Sequence, residues 1–193
     1  FDTSAAHCAA ALVSGDRVLA ARAEEMGRGQ AERLMPMLVE MLTAEGATWR
    51  DLGAIGVGIG PGNFTGVRIS VAAARGLALG LGIPAIGASG FDAGAHGQPR
   101  PLWIAIEAPR GMVYLQRHGA DSAGAPELRP VAATDGLDAP LRWLSDLAPA
   151  TLATNIAHIA RDRRHLPQPR PAPLYLRPAD AAPMREAPLV LLP

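Results

Sequence analysis

A short strand with alternating glycines, followed by a glycine-rich turn and an alanine-rich helix, constrains the fold more than any other feature of the sequence. Within it, Ile55, Val57 and Ile59 fall on one face, because side chains alternate between the two faces of a strand. The other face carries only glycine, so another group must approach this backbone closely. The sequence therefore predicts a tightly packed α/β layer around this strand.

The turn after the strand has two possible roles, which the residues alone leave open. It can be a structural connection in which Thr65 caps the next helix, predicted over residues 67–81. It can also bind a phosphate, because a helix N-terminus offers free N–H groups and the positive end of the helix dipole. Its spacing matches neither the Rossmann nor the Walker A glycine pattern. The motif comprises Gly60, Pro61, Gly62, Asn63, Phe64, Thr65, Gly66 and Arg68.

The order of predicted elements indicates two α/β lobes of similar plan. A hairpin around Gly15, an amphipathic helix, the glycine-lined strand, a second helix and another short strand make up the first half. A new strand–turn–strand unit begins at Leu102, and a further helix is predicted over residues 151–164. We place the first lobe at residues 1–98 and the second at residues 99–193, with a C-terminal tail that can pack back on the first.

The two predicted helices of the first lobe have faces that suit packing. The first helix has an apolar stripe at helical spacing, which we expect to lie mainly in the core. Pro36 fits its first turn, while Met35 and Val39 widen the stripe, and this edge can meet a partner helix. The second helix presents small residues, including Gly76 and Gly80, that suit close helix packing. The apolar stripe of the first helix consists of Leu34, Met37, Leu38, Met41 and Leu42.

Composition excludes several classes of protein. All 18 basic residues are arginines, so the sequence has no Walker A lysine, Schiff-base lysine or Ser-Lys dyad. The formal net charge is zero, which gives no general attraction to nucleic acid or to anionic membranes. No pair among the five histidines has a helical metal-binding spacing, so we expect no metal site. No stretch reaches the roughly 18 apolar residues of a membrane span, so we expect no membrane association.

The segment GPGNFTGVRIS resembles the GPGSFTGxRIG signature of the TsaB (YeaZ) family. Three more segments agree in order: ERLMPMLVEML with the first helix of that family, APRGMVY with its DARRGEVY hairpin, and PLYLR with its late PxYxR segment. The sequence also departs from the family pattern at several positions. The departures include Gln30 for His, Asn63 for Ser, Ser70 for Gly, Glu107 for Asp and Pro109 for Arg.

The resemblance implies a two-lobed actin-like ATPase fold (ASKHA, ribonuclease H-like) with mixed sheets flanked by helices. It implies a non-catalytic scaffold that supports formation of threonylcarbamoyladenosine at position 37 of tRNAs that read codons beginning with A. The implied partners are a TsaD-like catalytic paralogue and a TsaE-like ATPase, with ATP and metal on those subunits and no cofactor in this chain. The chain is expected to be cytoplasmic, to form a homodimer when alone, and to meet tRNA only through the complex.

By the same resemblance, Asp2, Thr3 and Ser4 form a vestigial nucleotide site. In actin-like phosphotransferases, an aspartate at such a position orients a metal ion and the nucleotide phosphates. Capping of a turn by Asp or Ser explains the same tripeptide. An alternative function is therefore an active phosphotransferase that binds Mg-ATP through Asp2, the glycine turn and Thr65.

Two further functions have less support, and the scaffold function predicts an interface. A glycoprotease needs a metal or nucleophile site that the sequence does not indicate, and a Rossmann oxidoreductase needs a different glycine pattern. A scaffold would contact its partner through the two helices of the first lobe. The predicted contacts are Met35, Val39, Leu42, Val71, Arg75 and Leu79.

Overall fold

Helices and strands alternate along the described part of the chain, which is residues 1–176 of the computed structural model. The N-terminal half contains β1 (His7–Ser14), β2 (Arg17–Glu25), α1 (Gln30–Ala44), β3 (Ile55–Gly58), α2 (Phe64–Leu81) and β4 (Ala85–Ala88). The rest contains α3 (Gly90–Ala95), β5 (Leu102–Ala108), β6 (Met112–His118), β7 (Glu127–Pro130), β8 (Leu141–Trp143) and α4 (Pro149–Arg163). The predicted hairpin, both predicted helices of the first half and the predicted late helix are confirmed.

The first layer joins an antiparallel pair of strands, β1–β2, to a parallel pair, β3–β4. The chain at Asp2 makes the connection. Asp2 exchanges two backbone hydrogen bonds with Ala9, of 2.8 and 3.0 Å, while Gly58 N donates to the Phe1 carbonyl at 3.0 Å. Residues 1–2 therefore lie between β1 and β3 and carry Asp2 to the end of the glycine-lined strand.

Strand β3 is packed closely on both faces, as its glycine pattern predicts. Ile55 and Val57 are buried in the apolar core that also contains side chains of α1 and α2. On the other face, a Cβ atom at Gly56 would lie 2.8 Å from the Cβ of Ala160 in α4, which is too close for two carbon atoms. Glycine is needed there because α4 approaches the backbone of the strand.

The second layer is a four-stranded sheet in the order β7–β6–β5–β8. The predicted β5–β6 hairpin is confirmed, and β8 runs parallel to β5. Helix α3 packs on β5, whereas α4 packs across the first layer. The sequence analysis missed α3, β7 and β8, because elements of three to six residues show no clear periodicity. The division at residues 98 and 99 stays a prediction.

Two local predictions are wrong. Pro36 lies inside α1, beyond its first turn, because the helix already begins at Gln30. Helix α2 begins at Phe64, three residues before the predicted start, because Asn63 caps it and the glycine turn is shorter than expected. Both corrections concern helix ends, where sequence patterns are least informative.

Helix α2 also corrects the expectation that no segment is long and apolar enough to cross a membrane. It has 18 residues with a mean hydropathy of 1.3, and it meets a test based on length and composition. Core helices of soluble proteins meet the same test. Val67, Val71 and Ala74 of α2 are buried in the apolar core of this chain, so the helix is weak evidence for a membrane span.

Candidate functional site

Asp2 lies in a buried cluster of hydrogen bonds that the chain makes with itself. Its Oδ1 accepts from Ser4 N at 2.9 Å, from Ser4 Oγ at 2.8 Å and from His7 Nε2 at 2.8 Å. Burial raises the pKa of Asp2, but the hydrogen bond and charge of His7 and the hydrogen bonds of Ser4 outweigh burial and hold the pKa below its ordinary value. The carboxylate is therefore ionised and already coordinated by its own chain.

The glycines at the end of β3 and in the following turn touch residues 2–4. A Cβ atom at each of three glycines would overlap an oxygen atom of that segment, and two of the three oxygens are backbone carbonyls. The space that glycine leaves is thus filled by the chain itself. The three pairs are Gly58 with the Asp2 side chain, Gly62 with the Ser4 carbonyl and Gly66 with the Thr3 carbonyl.

Asn63 caps helix α2, which corrects the prediction that Thr65 does so. The Asn63 Oδ1 accepts from Gly66 N at 2.9 Å, and the Asn63 backbone N–H donates to the Ser4 carbonyl at 2.6 Å. Thr3 Oγ1 donates to the Gly66 carbonyl at 2.7 Å. Because these groups bond one another, the geometry favours the structural interpretation of the turn over phosphate binding.

Two other departures from the family pattern, Ser70 and Gln30, also have local hydrogen-bond partners. Ser70 Oγ donates to the Gly58 carbonyl at 3.2 Å, which ties α2 to the end of β3. Gln30 Nε2 donates to the Met26 carbonyl at 3.1 Å at the start of α1. Glu107 is exposed at the end of β5.

The late PLYLR segment is bound to the start of α2. Arg68 stacks on Phe64, with 3.6 Å between the guanidinium carbon and the ring centre, and its Nε donates to Tyr175 Oη at 2.9 Å. Leu174 N donates to the Ile59 carbonyl at 2.8 Å. The last residue of the segment, Arg177, lies outside the described residues.

A cleft of about 1250 Å³ opens beside this segment, between the glycine turn and the second layer. His7, Asn63 and Phe64 form part of one wall, while Tyr114 and Leu144 belong to the other. No group of three His, Cys, Asp or Glu side chains that could hold a metal ion occurs within residues 1–176. Sequence analysis did not find the cleft, because its walls come from segments far apart in the chain.

A second candidate site is the exposed surface of α1 and α2, two helices that contact each other. Met35 and Val39 are 38% and 46% exposed, Leu79 is 85% exposed, and Arg75 is exposed. A Cβ atom at Gly76 would meet no atom within 4 Å. We call this surface the α1/α2 face.

Two of the six predicted interface residues are wrong. Leu42 is 6% exposed and Val71 is 4% exposed, and Val71 packs in the core with α1 and β3. In sequence, both are three or four residues from an exposed predicted interface residue of the same helix. In the structure, the side chains of both point towards the chain interior. His7 and Tyr175 were missed as site residues, although His7 begins the first strand of the predicted hairpin and Tyr175 lies within the PLYLR segment.

Comparisons with known proteins agree on one family. The sequence model described as TsaD, tRNA N6-adenosine threonylcarbamoyltransferase, matches residues 22–182. The tRNA threonylcarbamoyladenosine biosynthesis protein TsaB of Escherichia coli is 38% identical over 128 residues, which cover 64% of this chain and 55% of that protein. The TsaB protein of Haemophilus influenzae is 33% identical over 123 residues, which cover 60% and 51% of the two chains. The chain thus spans about half the length of these relatives.

A solved structure agrees with the fold as well. YeaZ from Pseudomonas aeruginosa superposes with a TM-score of 0.73 at 25% identity, covering 91% of this chain and 97% of the other. The actin-like ASKHA fold that the resemblance implies is therefore confirmed, with mixed sheets flanked by helices. The chain belongs to the family that the TsaD model describes and, within it, to the TsaB (YeaZ) group.

Proposed function

We propose that the chain is a non-catalytic scaffold and activator in the assembly that forms threonylcarbamoyladenosine at position 37 of tRNAs that read codons beginning with A. It pairs with a TsaD-like catalytic paralogue in the cytoplasm, and a TsaE-like ATPase joins them. ATP and metal bind on those subunits, and tRNA is met only through the complex. The names of the relatives support the pathway, since both TsaB proteins are named for threonylcarbamoyladenosine biosynthesis.

The α1/α2 face is the observation that carries the scaffold role. It includes the exposed apolar side chains of Val39 in α1 and Leu79 in α2, together with the uncovered backbone of Gly76 and Gly80. Small residues let another helix approach closely, and exposed apolar surface commonly marks a protein interface. In the absence of the paralogue, two copies of the chain can bury the same face against each other as a homodimer.

The state of Asp2 supports a non-catalytic role over the phosphotransferase alternative. Its carboxylate accepts hydrogen bonds from Ser4 and His7. The carbonyl groups of Thr3 and Ser4 also fill the space beside the glycine turn where phosphates would have to lie. Calorimetric titration of the isolated chain with Mg-ATP separates the two functions. The scaffold function predicts no binding at micromolar concentrations, and micromolar binding would favour the phosphotransferase.

Reconstitution tests the scaffold directly. Product formation on tRNA is measured with the paralogue and the ATPase, in the presence and absence of this chain. We expect product only when the chain is present, and we expect Val39→Glu to abolish both product and co-elution with the paralogue, because it places a charge in the α1/α2 face. Val131→Glu is the matched control, since Val131 is 41% exposed and directly follows β7 of the second layer. Equal product with and without the chain would contradict the proposal.

A further inference from the structure

The cleft beside the glycine turn has the size and the lining of a peptide-binding groove. Its volume of about 1250 Å³ exceeds the roughly 300–1,000 Å³ of most small-molecule sites. Apolar side chains line both of its walls. Grooves of this kind commonly receive a segment of another protein. The large apolar side chains of the lining include Phe64, Ile106, Leu144, Leu147, Leu152 and Leu174.

The cleft also carries negative charge that the described chain does not neutralise. Glu25 at the end of β2 and Glu107 in β5 line it, one from each layer, and both are exposed. Neither carboxylate forms an ion pair or a hydrogen bond within residues 1–176. Arg28 and Arg110 follow these glutamates closely in sequence, but no arginine is among the described residues that line the cleft. A basic group on an occupant would therefore be attracted from both walls.

His7 adds a buried polar group to the same lining. It is only 7% exposed, and its Nε2 bonds the Asp2 carboxylate at 2.8 Å. None of the hydrogen bonds within the described part of the chain involves its Nδ1. In the neutral imidazole, Nε2 carries the proton that is donated to Asp2, so Nδ1 is left as an acceptor. An occupant that donates hydrogen bonds, as peptide N–H groups and basic side chains do, would satisfy this atom.

We propose that the cleft binds a peptide segment of a partner protein in which apolar side chains lie next to an arginine or a lysine. The apolar side chains contact the lining, and the basic side chain pairs with Glu25 and Glu107. Tyr114 and Tyr175 also line the cleft, and the face of an aromatic ring attracts a cation.

This inference goes beyond the scaffold function, because none of the exposed residues that define the α1/α2 face lines the cleft. The chain then has two separate docking surfaces. A partner can hold the α1/α2 face while a second protein places a short basic segment in the cleft.

A nucleotide is the competing occupant, and the charges in the cleft disfavour it. Phosphates carry negative charge, which the carboxylates of Glu25 and Glu107 repel. The carbonyl groups of Thr3 and Ser4 also fill the space next to Gly62 and Gly66. The cleft therefore favours a basic, hydrogen-bond-donating occupant over an anionic one.

Fluorescence anisotropy of the full chain with two matched synthetic peptides tests the proposal. One short peptide alternates leucine with arginine, and the other has glutamate in place of each arginine. We expect the arginine peptide to bind more tightly by roughly tenfold or more, because only it complements the charge of the cleft. Absence of binding, or equal affinities for the two peptides, would overturn the proposal.

A double variant, Glu25→Gln with Glu107→Gln, assigns this preference to the cleft. Both glutamates are exposed, so the variant leaves the core unchanged. We expect the affinity ratio of the two peptides to fall to less than about threefold. Glu45→Gln is the matched control, since Glu45 is an exposed carboxylate outside the cleft at the end of α1, and it should not change the ratio. A ratio that persists in the double variant would overturn the proposal.

Crosslinking locates the bound peptide directly. A benzoylphenylalanine placed in the arginine peptide should crosslink to residues that line the cleft, such as Ser145 and Leu147. Crosslinks confined to the α1/α2 face would overturn the proposal. Co-elution of wild-type chain with the paralogue is measured in parallel, so that failure of the peptide site is separate from failure of the scaffold function.

Discussion

Two groups of glycines in this molecule have opposite environments. At β3 and its turn, each bare backbone is covered by the chain itself: Gly58 by Asp2 and Gly66 by the Thr3 carbonyl. On α2, Gly76 and Gly80 meet nothing within 4 Å. The first group holds the fold together, and the second leaves a smooth surface unused within the chain.

The difference between the two groups of glycines supports the proposed scaffold role. The place where phosphates would meet the glycine turn is filled by residues 3–4, and Asp2 is coordinated by Ser4 and His7. The α1/α2 face combines bare glycine with the exposed side chain of Leu79, which is costly to leave in water. We therefore expect substitutions in the first group to change stability strongly and substitutions in the second group to change binding.

The largest expected effect comes from Gly66→Ala. The new methyl group would overlap the Thr3 carbonyl, a backbone atom that cannot move aside without separating the start of the chain from α2. We expect the free energy of unfolding to fall by more than about 3 kcal/mol, or the protein not to fold. Urea denaturation measures the change, and a variant as stable as the wild type would contradict the packing described for the turn.

Asp2→Asn should have the next largest effect. The neutral amide loses the charged hydrogen bonds from His7 and Ser4, which we expect to cost about 2 kcal/mol at neutral pH. Asp16→Asn, at a fully exposed side chain, is the control and should change little.

The pH dependence of the same variant gives a second test. The pKa of Asp2 is lower in the folded than in the unfolded chain, so the folded state binds fewer protons. Its contribution to stability is therefore present above the unfolded pKa and is lost as the pH falls through the folded pKa. The difference in stability between the wild type and Asp2→Asn should narrow below about pH 4. A difference that stays constant with pH would show that the charge of Asp2 does not stabilise the fold.

The smallest effect on stability, and of opposite sign, is expected for Gly76→Ala. The methyl group meets open space and alanine favours the helix, so the isolated chain should gain up to about 1 kcal/mol. Association with the paralogue should weaken at the same time, because the added carbon keeps another helix from approaching. Thermal unfolding measures the change in stability, and sedimentation of the mixture in the ultracentrifuge measures the association. Unchanged association would count against a helix contact at Gly76.

Much of the fold could be predicted from patterns in the sequence. The turn around Gly15 and the helical spacing around Met37 predicted the right elements, and the glycines of β3 correctly indicated a close approach. The pattern could not say what approaches, because Asp2 and α4 come from opposite ends of the chain. Short elements such as α3 and β8 have too few residues to show a period.

The site was less predictable than the fold. Leu42 and Leu79 look alike in sequence, yet the first is 6% and the second 85% exposed, because helix rotation is set by tertiary packing. The bond between Asp2 and His7 depends on the bend of the chain at residues 4–6, which no periodicity reports. Asn63 could have been chosen as the cap of α2, since Asn is a strong N-cap residue.

Hydrogen exchange of the chain, alone and with the TsaD-like paralogue, tests the central claim most directly. We expect slower exchange in α1 and α2 when the paralogue is present, with unchanged exchange in β7 and β8. Protection confined to the second layer, with α1 and α2 unaffected, would contradict the docking role of the α1/α2 face.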